Sequence, residues 1–272
     1  MKDFKLSNSK IPQLGFGTYQ LRGDECVKAV ETAIDVGYTH IDTAEIYGNE
    51  EEVGKAIAKI DRKDLFITSK IWRSSLSYRG VMQSCNETLK KLDTDYLDLY
   101  LIHWPNKNAP YPEVFEAMYG LIKQGKIKNV GVSNFTIKHL TEAFKHAKEA
   151  GVEISVNQVE FHPFLYQKEL LDFCKEHNVV LTGYSPIARG KVLKHPLLQQ
   201  IGEKHDKTAA QVALRWSLQK DVVVIPKSGN PDRIQENFEV FDFELSSTDM
   251  KKIDDIKERN RLINPNFGEF DL

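Results

Sequence analysis

Short apolar runs alternate with longer amphipathic stretches along almost the whole chain. The runs are "LGFG" at 14–17, "THID" at 39–42, "LFITSK" at 65–70, "LDLYLIH" at 97–103, "NVGVS" at 129–133, "ISVNQVE" at 154–160, "VVLTGYS" at 179–185 and "VVVIPKS" at 222–228. Several are rich in Val and Ile and apolar almost throughout, the pattern of strands covered on both faces. The stretches between them carry helical periodicity. "DECVKAVETAIDVG" groups Val27, Val30, Ala33 and Ile34 and ends at Gly37, a C-cap signal. "TIKHLTEAFKHAKEAG" ends the same way at Gly151, and "TAAQVALRWSLQK" predicts a helix capped by Thr208. Asn49 before "EEVGKAI" predicts another cap, with Glu52 in the first turn.

Eight such pairs, at intervals of roughly thirty residues, predict a single (β/α)8 TIM barrel domain over residues 1–272. The main rival is an open doubly wound sheet, which usually carries G-x-G-x-x-G after its first strand. Here the nearest match, "GFGTYQ" at 15–20, lacks the third glycine. Upstream, "FKLSNSKIPQL" places a turn at Asn8-Ser9 between two short apolar pieces and predicts a short N-terminal β-hairpin closing the bottom of the barrel.

Composition narrows the function classes. Hydrophobic residues make up 41% and charged residues 28%, and the net charge is −2, with no long Lys/Arg run. Nucleic acid is therefore not an expected partner. The opening "MKDFKLSNSK" has no apolar h-region, and no run of about 18 apolar residues follows, so a cytoplasmic protein without membrane association is expected. Cys26, Cys85 and Cys174 are far apart and fall in helical segments, which argues for buried thiols rather than a disulfide framework. No H-E-x-x-H or Cys/His cluster points to a metal.

In a barrel of this kind, chemistry sits at the C-terminal ends of the strands. Those ends carry Asp42 with Tyr47 in its loop, then Lys70, His103, Ser133 and Asn134, Gln158 and Glu160, Tyr184 and Ser185, and Lys227 and Ser228. A lone Asp there is more often a cap, a lone Lys solvated, and a lone His bonded to a carbonyl. Their joint occurrence on strands two, three and four weakens that reading. A free tyrosine, pKa about 10, is a poor acid at neutral pH, and a nearby ammonium lowers it. Asp42 beside Lys70 would hold the ammonium in place, and His103 could orient a carbonyl. Such a set could protonate a carbonyl oxygen while a hydride arrives at carbon. His40 shares the strand parity of Asp42 and reads as core. Glu160 is a possible second acid that nothing places beside Tyr47.

At these residues the chain strongly resembles the aldo-keto reductase family. The likeness runs through "LGFGTY", "HIDTAEIYGNEEEVGKAI", "LFITSKIW", "DLYLIHWP", "GKIKNVGVSNF", "VNQVEFHP", "GYSPIARG" and "ALRWSLQKDVVVIPKSGNPDRIQEN", in the family's order. The resemblance implies a (β/α)8 barrel that reduces aldehydes or ketones with NADPH, bound without a Rossmann domain, and a monomer. It implies Tyr47 as general acid, Lys70 and Asp42 as the pair that tunes it, and His103 as the group that orients the carbonyl. It places Ser133, Asn134 and Gln158 on the nicotinamide carboxamide and Tyr184 under the ring. It puts Gly17, Thr18 and Tyr19 near the ribose, and Ser185, Pro186 and Ile225 along the cofactor. Lys227, Ser228 and Arg233 match the segment that holds the adenosine 2′-phosphate, with Glu236 and Asn237 near the adenine; Arg offers a planar fork and Lys a compact charge for that task. His162 falls in a structural motif.

Tyr19, Tyr47, Trp72, His103 and Trp104 are the expected walls of the substrate pocket, an apolar mouth over a polar floor. The loop "WPNKNAPYPEVF" and the tail "NPNFGEFDL" are short. They resemble those of compact microbial members such as 2,5-diketo-gluconic acid reductases, and the short tail is expected to leave the pocket open to a broad range of small-molecule carbonyl substrates. Two rivals are a Schiff-base aldolase using Lys70 and a nonenzymatic NADPH-binding subunit.

Overall fold

The structure is a computed structural model that describes residues 2–270. Two short antiparallel strands come first, β1 (Asp3–Lys5) and β2 (Lys10–Pro12), turning through the Leu6 N–H to Ser9 carbonyl bond. Eight parallel strands follow in chain order: β3 (Phe16–Gly17), β4 (His40–Asp42), β5 (Phe66–Ile71), β6 (Leu97–Ile102), β7 (Ile127–Ser133), β8 (Ile154–Glu160), β9 (Val180–Tyr184) and β10 (Val223–Val224). Each pairs with the next. The sheet then closes on itself, because Leu14 bridges Val224 in parallel, with the Gly15 N–H donating to the Val224 carbonyl at 2.9 Å and the Val224 N–H to the Gln13 carbonyl at 3.0 Å. This is the expected (β/α)8 barrel.

Helices cover the outside: α1 (Gly23–Val36), α2 (Glu50–Ile57), α3 (Tyr78–Leu92), α4 (Tyr111–Lys123), α5 (Ile137–Glu149), α6 (Lys168–Glu176), α7 (Pro196–Glu203), α8 (Ala209–Gln219), α9 (Pro231–Phe238) and α10 (Ser247–Asp254). Gly37 ends α1 at φ 118°, where a side chain would be strained, and Thr208 starts α8 in a reciprocal box with Gln211. Asn49 departs from expectation. It precedes α2 but makes no capping bond; its amide donates to the Thr18 and Leu21 carbonyls, and its carbonyl oxygen accepts from the Thr43 hydroxyl. Buried against the loop after β3, the amide satisfies that loop's carbonyls instead of the helix end. The eighth run is also shorter than its apolar pattern, with only Val223–Val224 in strand pairing before Pro226. No helix among the described residues is long and apolar enough to cross a membrane. Cys26, Cys85 and Cys174 are free and buried.

Strands buried on both faces explain the unbroken apolar runs. Tyr100 and Ile102 of β6 join the core under the helices, whereas Leu99 and Leu101 face the hairpin residues Leu6 and Ile11 together with Phe66, Val156 and Val223. The hairpin thus plugs the lower end, and chemistry is confined to the upper one. Its turn is tied down by the Asn129 amide donating to Ser9 Oγ at 2.6 Å and the Asn8 N–H to Asn129 Oδ1 at 2.9 Å.

His40 lies inside the barrel at 1% exposure, its Nε2 3.1 Å from Thr68 Oγ1. A Cβ at residue 15 would clash with its ring, so glycine is required there. Burial, assisted by the Lys70 charge, pushes the His40 pKa from 6.5 down to about 3. Folded His40 stays neutral while unfolded His40 takes a proton. Its contribution is therefore complete above about pH 6.5 and is lost as pH falls toward 3, at up to about 1.4 kcal/mol per pH unit. Urea unfolding at several pH values should show His40→Gln with a shallower loss between pH 6 and 4, by about that slope. An unchanged slope would contradict a neutral, buried His40.

Candidate active site

Asp42 is the last residue of β4, and Tyr47 ends a one-turn 3-10 helix, Glu45–Tyr47, closed by Gly48 at φ 62°. The turn folds the phenol back over the strand ends. The Glu45 carboxylate, accepting the Trp72 N–H, fastens this turn to the residue just beyond β5. Lys70, near the end of β5, is fully buried. Its Nζ donates to Asp42 Oδ1 at 2.5 Å, to the Thr43 carbonyl at 2.7 Å and to Tyr47 Oη at 3.4 Å. The Gln158 amide donates to the other Asp42 oxygen at 2.7 Å. Every N–H of the ammonium thus has an acceptor, and both carboxylate oxygens have a donor.

Burial pushes the Asp42 carboxyl up and the Lys70 amine down, each toward neutrality. The ion pair itself, the Gln158 donor and the Thr43 carbonyl oppose that drift and favour the charged forms. Burial and the Asp42 charge hold Tyr47 well above the ordinary tyrosine value. This reverses the expected direction: the phenol is kept protonated rather than acidified, because loss of hydration outweighs the ammonium at 3.4 Å. Since Tyr47 Oη accepts from Lys70, its own proton is free to point elsewhere.

His103 packs edge-on to Tyr47 at 5.6 Å and to Trp72 at 5.3 Å between ring centroids. Its Nδ1 is buried with no hydrogen-bond partner among the described residues. Burial and the Lys70 charge hold its pKa well below 6.5, so the imidazole is neutral.

Asp42, Tyr47, His103 and Gln158 floor a cleft of about 640 Å³, with Lys70 buried behind them. Tyr19, Tyr47, Trp72, His103 and Trp104 all line it, as expected. So do Gly17, Thr18, Asp42, Asn134, Gln158 and Tyr184, and, farther along, Ser185, Ile225 and Lys227. The Tyr184 hydroxyl donates to Asn134 Oδ1 at 2.8 Å, and the Asn134 amide donates to the His103 carbonyl at 3.0 Å. Asn134 and Ser185 hold positive φ values of 64° and 50°, backbone strain concentrated at the cleft.

Other expected residues stand back from it. Ser133 is 1% exposed, and its hydroxyl donates to the Gln158 carbonyl. Ser228 Oγ accepts the Asn230 N–H, Glu236 accepts from Thr208, and Asn237 is buried in α9. Arg233 is exposed in the first turn of α9, which Asn230 caps. Pro186 is buried and does not line the cleft. Glu160 does not approach Tyr47. It bonds His162 Nε2 at 2.8 Å and accepts the Leu262 and Ile263 N–H groups at 2.8 Å.

That last contact exposes what sequence reasoning missed. Glu160 anchors the tail, and the tail does not leave the pocket open: Ile263, Pro265 and Phe267 line the cleft. Phe267 stands edge-on to Trp72 at 5.8 Å and to Trp104 at 5.4 Å. Asp271 and Leu272 lie outside the described residues. Arg22 and Arg189, in "QLRG" and "SPIARG", also line the cleft. Their charge beside a strand-end loop was the available signal. No group of three or more His, Cys, Asp or Glu that could hold a metal ion occurs among the described residues.

The sequence model of the aldo/keto reductase family matches residues 13–258. The glyoxal reductase of Bacillus subtilis strain 168 is 47% identical over 269 residues, covering 97% of this chain and 96% of the relative. The methylglyoxal reductase of Escherichia coli strain K12 is 40% identical over 264 residues, covering 95% and 94%. A solved structure described as a candidate 2,5-diketo-D-gluconic acid reductase B superposes with a TM-score of 0.92 at 40% identity, covering 97% of this chain and 95% of that one. Because the match takes in nearly the whole barrel, strand ends included, the chain belongs to the aldo/keto reductase family.

Proposed function

We propose that this protein reduces aldehydes and ketones to alcohols with NADPH, using Tyr47 as the general acid. The observation that carries this reading is the phenol at the cleft floor, protonated, with the Lys70–Asp42 pair directly behind it. The cleft also suits an elongated anionic dinucleotide. Arg22, Arg189 and Lys227 line it, and none forms an ion pair with an acidic side chain among the described residues. Arg233 lies in the first turn of a capped helix, where partial positive charge adds to its own.

NADPH, when bound, supplies the hydride that reduces the carbonyl carbon. The remaining work falls to the chain's own residues. A carbonyl oxygen seated over Tyr47 and His103 accepts hydrogen bonds and gains negative charge as reduction proceeds. Tyr47 Oη releases its proton to that oxygen, and Lys70 Nζ stabilises the phenolate left behind. Neutral His103 orients the oxygen rather than donating first. Asn134, Gln158 and Ser133 are the groups we assign to the nicotinamide carboxamide, and Tyr184, held by its bond to Asn134, to the ring face. Gly17, Thr18, Tyr19, Ser185, Pro186 and Ile225 would follow the cofactor toward Lys227, Ser228 and Arg233 at the 2′-phosphate, with Glu236 and Asn237 at the adenine. A Schiff base on Lys70 is disfavoured, since forming it would break three hydrogen bonds of a fully buried ammonium.

Tyr47→Phe should lower the rate of carbonyl reduction by about 10²–10⁴-fold while fluorescence titration still shows NADPH binding. Full activity in that variant would refute the assignment. Arg233→Ala should weaken NADPH binding by roughly 10-fold or more and NADH binding far less. Equal losses for the two cofactors would remove the 2′-phosphate assignment.

A further inference from the structure

Two buried titratable residues at the upper end of β8 take no part in the proton transfer. Glu160, the last residue of β8, and His162 both have fully buried side chains. Glu160 Oε1 accepts from His162 Nε2 and from the Leu262 N–H, and Oε2 accepts the Ile263 N–H, each at 2.8 Å. Burial alone would raise the Glu160 carboxyl, but these three donors outweigh it and hold the group below the ordinary glutamate value. Two successive backbone N–H groups of the tail thus close on one charged acceptor, and such bonds are stronger than those between neutral groups.

The loop after β8 holds the tail at two further points. The Asn260 N–H donates to the Phe164 carbonyl at 2.8 Å, and Arg261 donates to Gln167 Oε1 at 3.3 Å. The Gln167 amide in turn donates to the Glu160 carbonyl at 2.7 Å. Farther along the tail the charged attachments are longer: Glu269 lies 3.6 Å from Arg73 and 3.5 Å from His139 Nε2. The tail residues that line the cleft, Ile263, Pro265 and Phe267, run from the first attachment toward the second. Phe267 is one ring removed from the reaction floor, since His103 lies 5.3 Å from Trp72, and Trp72 5.8 Å from Phe267, between centroids. An aromatic substituent on a carbonyl held at His103 extends to this wall, whereas a two-carbon substituent stops short of it.

On the carbonyl reduction proposed above, we infer that Glu160 is a positioning residue for the larger carbonyl substrates: by gripping the Leu262 and Ile263 N–H groups it fixes where the tail enters the cleft, and so where Phe267 stands against Trp72 and Trp104. It touches no substrate and acts through the tail. Glutamine at this position would keep the volume but offer one acceptor oxygen and an amide nitrogen that only donates, leaving one of the three donors facing a donor.

The test is steady-state reduction, with NADPH, of 4-nitrobenzaldehyde and of methylglyoxal. Glu160→Gln should raise KM for the aromatic aldehyde by on the order of tenfold with little change in kcat, and leave kcat/KM for methylglyoxal within about twofold. Leu262→Pro removes one of the N–H donors from the tail side, at a residue that does not line the cleft, and should reproduce the pattern without disturbing the barrel. In a Phe267→Ala background, Glu160→Gln should add nothing further for the aromatic aldehyde, because the wall it positions is already gone. Equal losses on the two substrates in Glu160→Gln and Leu262→Pro, or no loss in either, would overturn the inference while leaving carbonyl reduction intact. A penalty that persists in full without Phe267 would overturn it as well. Turnover of neither substrate by the wild type would overturn both this inference and the reduction reading beneath it.

Discussion

A fully buried ion pair organises the upper end of this barrel. Placing Lys70 and Asp42 away from water carries a desolvation cost of several kcal/mol per ion, which a single contact seldom repays. The fold meets that cost with a complete set of partners: Thr43 and Tyr47 on the ammonium, Gln158 on the carboxylate. Thr43 and Tyr47 come from the loop after β4 and Gln158 from β8, so the pair can be satisfied only when β4, β5 and β8 stand in their barrel positions. An apolar replacement would be expected to pack at lower cost. On the proposed mechanism, the ion pair is kept for what it does to the phenol beside it.

The same constraint shapes the surroundings. The 3-10 turn carrying Tyr47 is fastened by Glu45 to the backbone beyond Lys70, and Asn49 binds that turn to the loop after β3. The hairpin seals the opposite end with apolar side chains, leaving one open face. On that face, Arg22, Arg189 and Lys227 line the cleft together with a set of aromatic rings, an arrangement suited to an anionic cofactor beside its reactant. Accurate placement of these groups depends on rigid strand ends, not on the flexibility of the loops.

Much of this is legible in the sequence. Runs such as "LDLYLIH" are apolar on both faces because the strand is covered by helices outside and by hairpin and barrel side chains within, and this burial leaves its signature in local composition. The four central residues can be found because strand-end positions can be counted along the chain. Three features are not legible, each for a physical reason. The contact of Phe267 with Trp72 and Trp104 joins positions far apart in sequence and follows no periodicity. Asn49 occupies a capping position, yet its amide is drawn to the Thr18 and Leu21 carbonyls by a packing that sequence does not display. The sign of the Tyr47 shift depends on how completely the phenol is dried, and a roll of neighbouring charges does not contain that quantity.

The central claim is that the proton comes from Tyr47, with neutral His103 as its guide. The pH dependence of kcat/KM for carbonyl reduction by the wild-type protein separates the two residues. With Tyr47 held above its ordinary value and His103 held well below 6.5, the profile should be level through neutral pH and fall only on the alkaline side, beyond about pH 10. A descending limb at or below pH 6.5, with activity lost as the profile passes into neutral pH, would show a histidine supplying the proton, and would contradict the assignment to Tyr47.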